Sequence, residues 1–261
     1  MSPSPSQGKG KLYIVGTGPG RSDQMTMRAR DAIASSTHVV GNQIYLDNVS
    51  DLLAGKEIFN SSMGREVQRA KKAVELAQDH MVSIVSGGDA GVYGMASIVL
   101  EIVEKSFPET AVEIVPGVTA ASAAASLLGS PLSSDFMVIS LSDLLTPWVE
   151  IERRLEAAFG VGVPVVLYNP KSLRRPDNLH TALSIAKKHL PGTTPIGVVK
   201  DAYRPDETVT VTKLEALAEN DDFVDMHSTV VVGGLDSRIW AEGESVRGII
   251  TPRGYNRKYA Y

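Results

Sequence analysis

The chain contains no cysteine in 261 residues. That excludes disulfides, thiolate metal sites, cysteine-ligated iron–sulfur clusters and cysteine nucleophiles. Its histidines, His38, His80, His180, His189 and His227, never stand three or four residues apart, so no protein-bound metal is expected. A strong excess of either charge is also lacking. The net charge of -4 offers no basic footprint for nucleic acid. No apolar run is long enough to cross a bilayer: the longest uncharged stretch, Ile114 to Ser134, is rich in Ala and Ser and broken by Pro116, Gly117, Gly129 and Pro131. It reads as a tight turn followed by a small-residue helix packed against something. No targeting signal is visible, so Met1 to Gly10 reads as a flexible leader and the expected location is cytoplasmic. There is no Gly-x-x-x-x-Gly-Lys-Ser/Thr phosphate loop and no Gly-x-Ser-x-Gly elbow.

What the chain does have is glycine, in three turns: Val15-Gly16-Thr17-Gly18-Pro19-Gly20, Gly87-Gly88-Asp89-Ala90-Gly91-Val92-Tyr93-Gly94 and Pro116-Gly117-Val118-Thr119-Ala120. Each follows a short apolar run, which places it at the C-terminal end of a buried strand. In an open parallel sheet, ligands bind along that edge. Glycine there lets backbone amides approach a ligand with no side chain between. The three turns together imply one composite pocket for a small molecule.

Composition (43% hydrophobic, 21% charged) is ordinary for a globular protein, and the length suits one large domain or two medium ones. Strand signals at Lys11–Val15, His38–Val40, Met81–Val85 and Val112–Val115 alternate with helical spacing over Met25–Ser35, Met63–Asp79 and Val92–Lys105. In the second of these helices Val67, Ala70, Val74 and Ala77 form the expected apolar face. This alternation predicts a parallel sheet with helices on its faces. After about Ser130 the rhythm changes. Strands are expected at Phe136–Ser140, Pro164–Tyr168, Pro195–Val199, Thr208–Thr212 and Thr229–Val232, with helices over Trp148–Phe159 and Asp177–Leu190. Late strands such as Gly248–Thr251 have room only for hairpins. The fold class expected is α/β in two domains, residues 11–118 around a mainly parallel sheet and 119–261 around a mixed one.

A dinucleotide reading of the first turn fails in detail. Arg21 stands where the third glycine belongs, Val39-Val40-Gly41-Asn42 ends without an acid, and Pro19 removes an amide where a pyrophosphate would need one. Taken together, the three turns resemble those of the tetrapyrrole methylases, the class III S-adenosylmethionine methyltransferases. The matching pieces are Gly16–Gly20, Gly88–Gly94 (with Ala90 where the family usually has proline) and Pro116–Ala120. The stretch Leu167-Tyr168-Asn169-Pro170-Lys171-Ser172 with Arg174-Arg175, the segment Ser142–Trp148 and the tail Thr251-Pro252-Arg253-Gly254-Tyr255 resemble the precorrin-3B C(17)-methyltransferase branch.

That resemblance implies an enzyme of cobalamin biosynthesis, usually homodimeric, that methylates a precorrin ring carbon with ring contraction. Its active site would lie in the cleft between the two domains, with S-adenosylmethionine as methyl donor. Pro19, Gly87, Gly88, Asp89, Val92, Thr119, Ala120, Tyr168 and Asn169 would hold the donor. Gly18 and Gly20 would border the tetrapyrrole, and Lys171, Arg174, Arg175 and Arg253 would hold its carboxylates, a task for which arginine is the better fork. Asp89 also reads as an ordinary turn former, and the basic run as a solvated one. Asp47, Asp143, Asp201 and Tyr93 are unranked as acid or base, and Arg21 and Lys200 are further cations. Alternatives on the same fold act on another precorrin position or a diphthamide precursor. Outside it stand a nucleotide-dependent oxidoreductase and a non-catalytic ligand-binding module.

Overall fold

The computed structural model describes residues 10–62 and 64–260. It divides into two compact units, the first ending at Ala120 and the second beginning at Ala121. Residues 1–9 of the expected leader lie outside the described residues. Gly10 is buried, and a Cβ there would stand 2.2 Å from the Ala77 carbonyl oxygen.

In the first unit β1 (Lys11–Gly16), β2 (His38–Gly41), β3 (Glu57–Asn60), β4 (Met81–Ser86) and β5 (Ala111–Val115) form one sheet in the order β3-β2-β4-β1-β5. Every pairing in it is parallel. The helices are α1 (Met27–Ser35), α2 (Gln43–Asp47), α3 (Glu66–Leu76) and α4 (Ala96–Ser106). The alternation of β1 explains the layering. Leu12 and Ile14 pack with Ala70, Val74 and Val99 of α3 and α4, while Tyr13 and Val15 pack with Ala29 and Ile33 of α1. Because all strands run the same way, the chain leaves β1, β4 and β5 along a single edge.

Two helices differ from expectation. The helix expected over Met63–Asp79 runs from Glu66 to Leu76, Met63 lies outside the described residues, and Val67 is 52% exposed. Arg69 is buried beside Ala70, Ala73 and Val74 instead. Its Nη1 donates to the Ser61 hydroxyl (2.9 Å) and carbonyl (3.3 Å), and Glu66 lies 3.5 Å from Nη2. With its head so occupied, the arginine stem can be buried and displaces Val67 from the apolar face. The helix expected from Val92 starts only at Ala96. Residues 91–95 form a loop in which Tyr93 has φ +52° and the Ala96 amide donates back to the Ala90 carbonyl at 2.9 Å.

A polar clasp ties β5 to its neighbours. The Glu113 carboxylate accepts from Lys11 Nζ and from Arg28 Nε, each at 2.6 Å. The hydrogen bond from Lys11, then that from Arg28, holds the Glu113 carboxyl below its ordinary value of 4.5.

The second unit opens with α5 (Ala120–Leu128), the expected small-residue helix, followed by the short strand β6 (Gly129–Ser130). Its main sheet contains β7 (Met137–Ser140), β8 (Val165–Tyr168), β9 (Pro195–Lys200), β10 (Thr208–Lys213) and β11 (Ser228–Val232), in the order β10-β9-β11-β8-β7. It is mixed: β7 and β8 are parallel, and the other pairings are antiparallel. The helices α6 (Trp148–Val161), α7 (Asn178–His189) and α8 (Leu214–Glu219) cover one face with Ile151, Leu155, Phe159, Leu183 and Leu217. Ala121, Ala124 and Leu128 of α5 cover the other, against Val166, Val199 and Val231. A hairpin of β12 (Arg238–Glu242) and β13 (Ser245–Ile250) pairs with β6 in a separate sheet.

Candidate functional site

At the C-terminal edge of the first sheet the three glycine turns meet main chain to main chain. The Gly18 amide donates to the Gly88 carbonyl (3.0 Å), and the Gly88 amide returns the bond to Gly18 (2.8 Å). Both residues have positive φ, +75° and +64°, which glycine adopts at little cost. The third turn closes on the other two. A Cβ on Gly117 would lie 2.2 Å from the Gly88 carbonyl oxygen and 2.7 Å from the Gly16 backbone; one on Gly16 would lie 2.7 Å from the Gly117 nitrogen. Glycine at 16 and 117 is thus dictated by crowding and not by dihedral angle.

Asp89 supplies the clasp. One carboxylate oxygen accepts from the Gly91 amide (2.8 Å) and the other from the Gly117 amide (3.0 Å), so one side chain orders its own turn and fastens the third turn to it. Thr17 is buried and returns its hydroxyl to the Ser86 carbonyl (3.1 Å). Thr119 and Ala120 stand beside Gly88: a Cβ at Gly88 would find the Thr119 Cα and the Ala120 nitrogen no nearer than 3.8 Å. Gly87 backs onto the Tyr45 ring, 2.3 Å from where a Cβ would be. The sequence carries no signal for Tyr45, because a ring against a glycine has no spacing rule. Pro19 and Gly20 are buried and Val92 is exposed.

In the second unit the candidates gather where the chain leaves β7 and β8. The Tyr168 hydroxyl accepts from the Ala121 amide in the first turn of α5 (2.6 Å). Asn169 has φ +52° and donates from Nδ2 to the Ser140 hydroxyl (2.9 Å). Beyond it, Ser172 and Arg175 exchange backbone hydrogen bonds (3.2 and 2.9 Å), making a tight hairpin with Leu173 and Arg174 at its tip. Lys171 is engaged, its ammonium 2.7 Å from Asp221 Oδ1. Arg174 and Arg253 are exposed and make no ion pair among the described residues. The tail bearing Arg253 is anchored by Thr251, which donates to the Pro131 carbonyl and meets the Ser237 hydroxyl at 2.7 Å.

The remaining candidates have local partners. Arg21 pairs with Asp23, and Gln43 donates to Asp47. Asp201 has φ +49° and faces His227 (3.3 Å) and Arg204 (3.6 Å). Lys200 lies 2.6 Å from Asp225, and the hydrogen bond to that carboxylate raises the ammonium above its ordinary 10.5.

A profile of the family described as Tetrapyrrole (Corrin/Porphyrin) Methylases matches residues 11–218, a span that takes in every glycine turn and the Tyr168–Arg175 segment. The chain belongs to the tetrapyrrole methylase family. Among the chain's relatives is the cobalamin biosynthesis protein CbiHC of Archaeoglobus fulgidus, 41% identical over 96% of the present chain and 54% of that protein. The chain therefore spans about half the length of that relative. A probable cobalt-factor III C(17)-methyltransferase of Salmonella typhimurium is 43% identical over 94% of the chain and 99% of its own length. The crystal structure of the methyltransferase CobJ superposes with a TM-score of 0.85 at 32% identity, covering 93% of the present chain and all of that chain. Both share the architecture of two α/β domains, one sheet parallel and one mixed.

Proposed function

We propose that the protein is an S-adenosylmethionine-dependent C-methyltransferase of cobalamin biosynthesis. In this reading it methylates C-17 of precorrin-3B, or of the corresponding cobalt-bearing macrocycle, with ring contraction. The likeness to the Salmonella typhimurium C(17)-methyltransferase carries the reading, because it runs almost the full length of both chains at 43% identity. The branch-like segments at Tyr168–Arg175 and Thr251–Tyr255 favour this position over another precorrin carbon or a diphthamide precursor.

The first unit fits a flat polar donor. Gly88 presents bare main chain with the space over it open to 3.8 Å, while the bare backbones of Gly16 and Gly117 let the three turns close on one another. Gly87, Gly88, Asp89, Val92, Thr119 and Ala120 would hold the donor, Pro19 would border it, and Tyr168 and Asn169 would complete its contacts. When bound, the sulfonium supplies a methyl group that is already activated. The chain's own task is then positioning, which alone contributes a large share of a barrier reduction. Asp89 performs it indirectly, by fixing the Gly91 and Gly117 amides. Gly18, Gly20, Lys171, Arg174, Arg175 and Arg253 are the proposed contacts to the acceptor, and the homodimer of the family is the proposed assembly, to be read by sedimentation velocity.

The decisive experiment pairs calorimetry with turnover. S-adenosylhomocysteine should bind and NAD should not, and incubation with the donor and the metal-free or cobalt-bearing macrocycle should yield a product one methyl heavier. Donor binding with no turnover on any tetrapyrrole would overturn the assignment.

A further inference from the structure

Arg175, its side chain only 16% exposed, is a loosely compensated cation within the candidate region. Its Nε lies 3.3 Å from the Ser172 hydroxyl and 3.9 Å from Asp143; Nη2 reaches only the Met226 sulfur at 3.5 Å. Its buried Nη1 has no hydrogen-bond partner among the described residues. A sulfur is a weak acceptor, and a guanidinium charge held so loosely gains much from a carboxylate. Lys171, four residues earlier, already has its carboxylate at 2.7 Å.

Around this arginine the surface is apolar where charge would be expected. Leu173, at the hairpin tip, is fully exposed, and Leu144 and Leu145, next to Asp143, are 80% and 93% exposed. Val149 and Met226 are exposed as well. Single exposed leucines need no explanation, but several gathered about one under-compensated cation mark a binding surface.

We propose that the loop after β7 and the hairpin after β8 form a seat for one edge of the macrocycle. Leu144, Leu145 and Leu173 lie against its apolar ring, and Arg175 takes a peripheral carboxylate. The match is one of chemistry: a tetrapyrrole with carboxylate arms is a wide apolar plate with an anionic rim, and the seat is apolar around a cation. Asp143, itself 42% exposed, is the group the ligand carboxylate displaces. Arg175 therefore discriminates among acceptors by their rim charge. This inference rests on the proposed acceptor class.

The test uses the full chain with uroporphyrin III as a polycarboxylate probe, followed by quenching of its fluorescence, and the macrocycle turnover assay in parallel. Leu145→Ser/Leu173→Ser should weaken probe binding and raise KM for the macrocycle at least tenfold. The affinity for S-adenosylhomocysteine should stay within twofold and Tm should hold, since both side chains are exposed. Arg175→Gln should weaken the probe about tenfold and flatten the salt dependence of its binding, and Arg175→Lys should recover part of the loss. Unchanged probe affinity and KM in the leucine pair, with wild-type turnover intact, would overturn the seat alone. A fall in sedimentation coefficient for that pair, with tetrapyrrole binding retained, would also overturn it, since the leucines would then join two copies. Failure of the wild-type chain to act on the macrocycle overturns the underlying function, which keeps the two failures distinct.

Discussion

Asp89 shows how a single side chain can do two jobs where three turns meet. Its carboxylate takes one backbone amide from its own turn and one from the third turn. Replacing Asp89 by alanine removes both acceptors and leaves the partly buried Gly117 amide without one. The expected cost is about 2–3 kcal/mol, since hydrogen bonds to a charged group exceed neutral ones. In a chain of this length that lowers Tm by roughly 4–10 °C. Because the same amides frame the proposed donor site, calorimetry should show weaker S-adenosylhomocysteine binding as well. Unchanged Tm with lost binding would make Asp89 a ligand contact and nothing more.

At the scale of elements, the Glu113 clasp gives the sheet edge a pH dependence. Lys11 lies on β1, Arg28 on α1 and Glu113 on β5, so three elements share one carboxylate. The folded-state value of Glu113 is below its ordinary value of 4.5. The contribution is therefore fully present above that ordinary value and disappears as pH falls through the lowered one. Glu113→Gln should lower Tm by about 1–3 °C at neutral pH, as for a partly exposed pair, with the gap closing below about pH 4.5. Melting curves of both proteins from pH 3 to 8 would reveal it, and a gap that does not narrow at all as pH falls below 4.5 would refute the clasp.

The elements also show where periodicity fails. The strands before the first two glycine turns were legible because their side chains are buried on both faces, as in Leu12–Val15 and Val82–Val85; β5, before the third, is instead an edge strand with Ile114 45% exposed. Strand β3 (Glu-Ile-Phe-Asn) is at the sheet margin, mostly exposed, and has no apolar run to announce it. Val67 was misplaced because no sequence rule anticipates that an arginine, hydrogen-bonded by the loop preceding its own helix and paired with that helix's Glu66, will occupy the buried face. Of the candidate site, the glycine corners were legible as backbone necessities. The Lys171–Asp221 pair was not, since its members are far apart in sequence and Asp221 is one acid among thirty Asp and Glu residues.

For the whole molecule, the units divide the proposed labour. The parallel sheet carries the donor turns at its C-terminal edge, as open α/β sheets do. The mixed sheet carries the acceptor seat where β7 and β8 end. A ligand that binds only the folded protein stabilises it by mass action, about 2.7 kcal/mol at a hundredfold excess over Kd. S-adenosylhomocysteine at that excess should therefore raise Tm by roughly 5–10 °C, whereas NAD should leave it unmoved. Differential scanning fluorimetry distinguishes these outcomes, and an equal rise with NAD would return the oxidoreductase reading to contention.

The corner where Gly16, Gly88 and Gly117 touch has a consequence for how this protein can change over generations. Residues that meet without side chains have no rotamer to adjust, so a methyl introduced at Gly16 or Gly117 pushes directly on the other two backbones. Mutations there are strongly epistatic: the first carries nearly the whole penalty, and a second adds little to a corner already sprung. Drift is confined to the flanks, at positions such as Val92 and Thr119, and in the proposed reading any change of donor preference has to proceed through them.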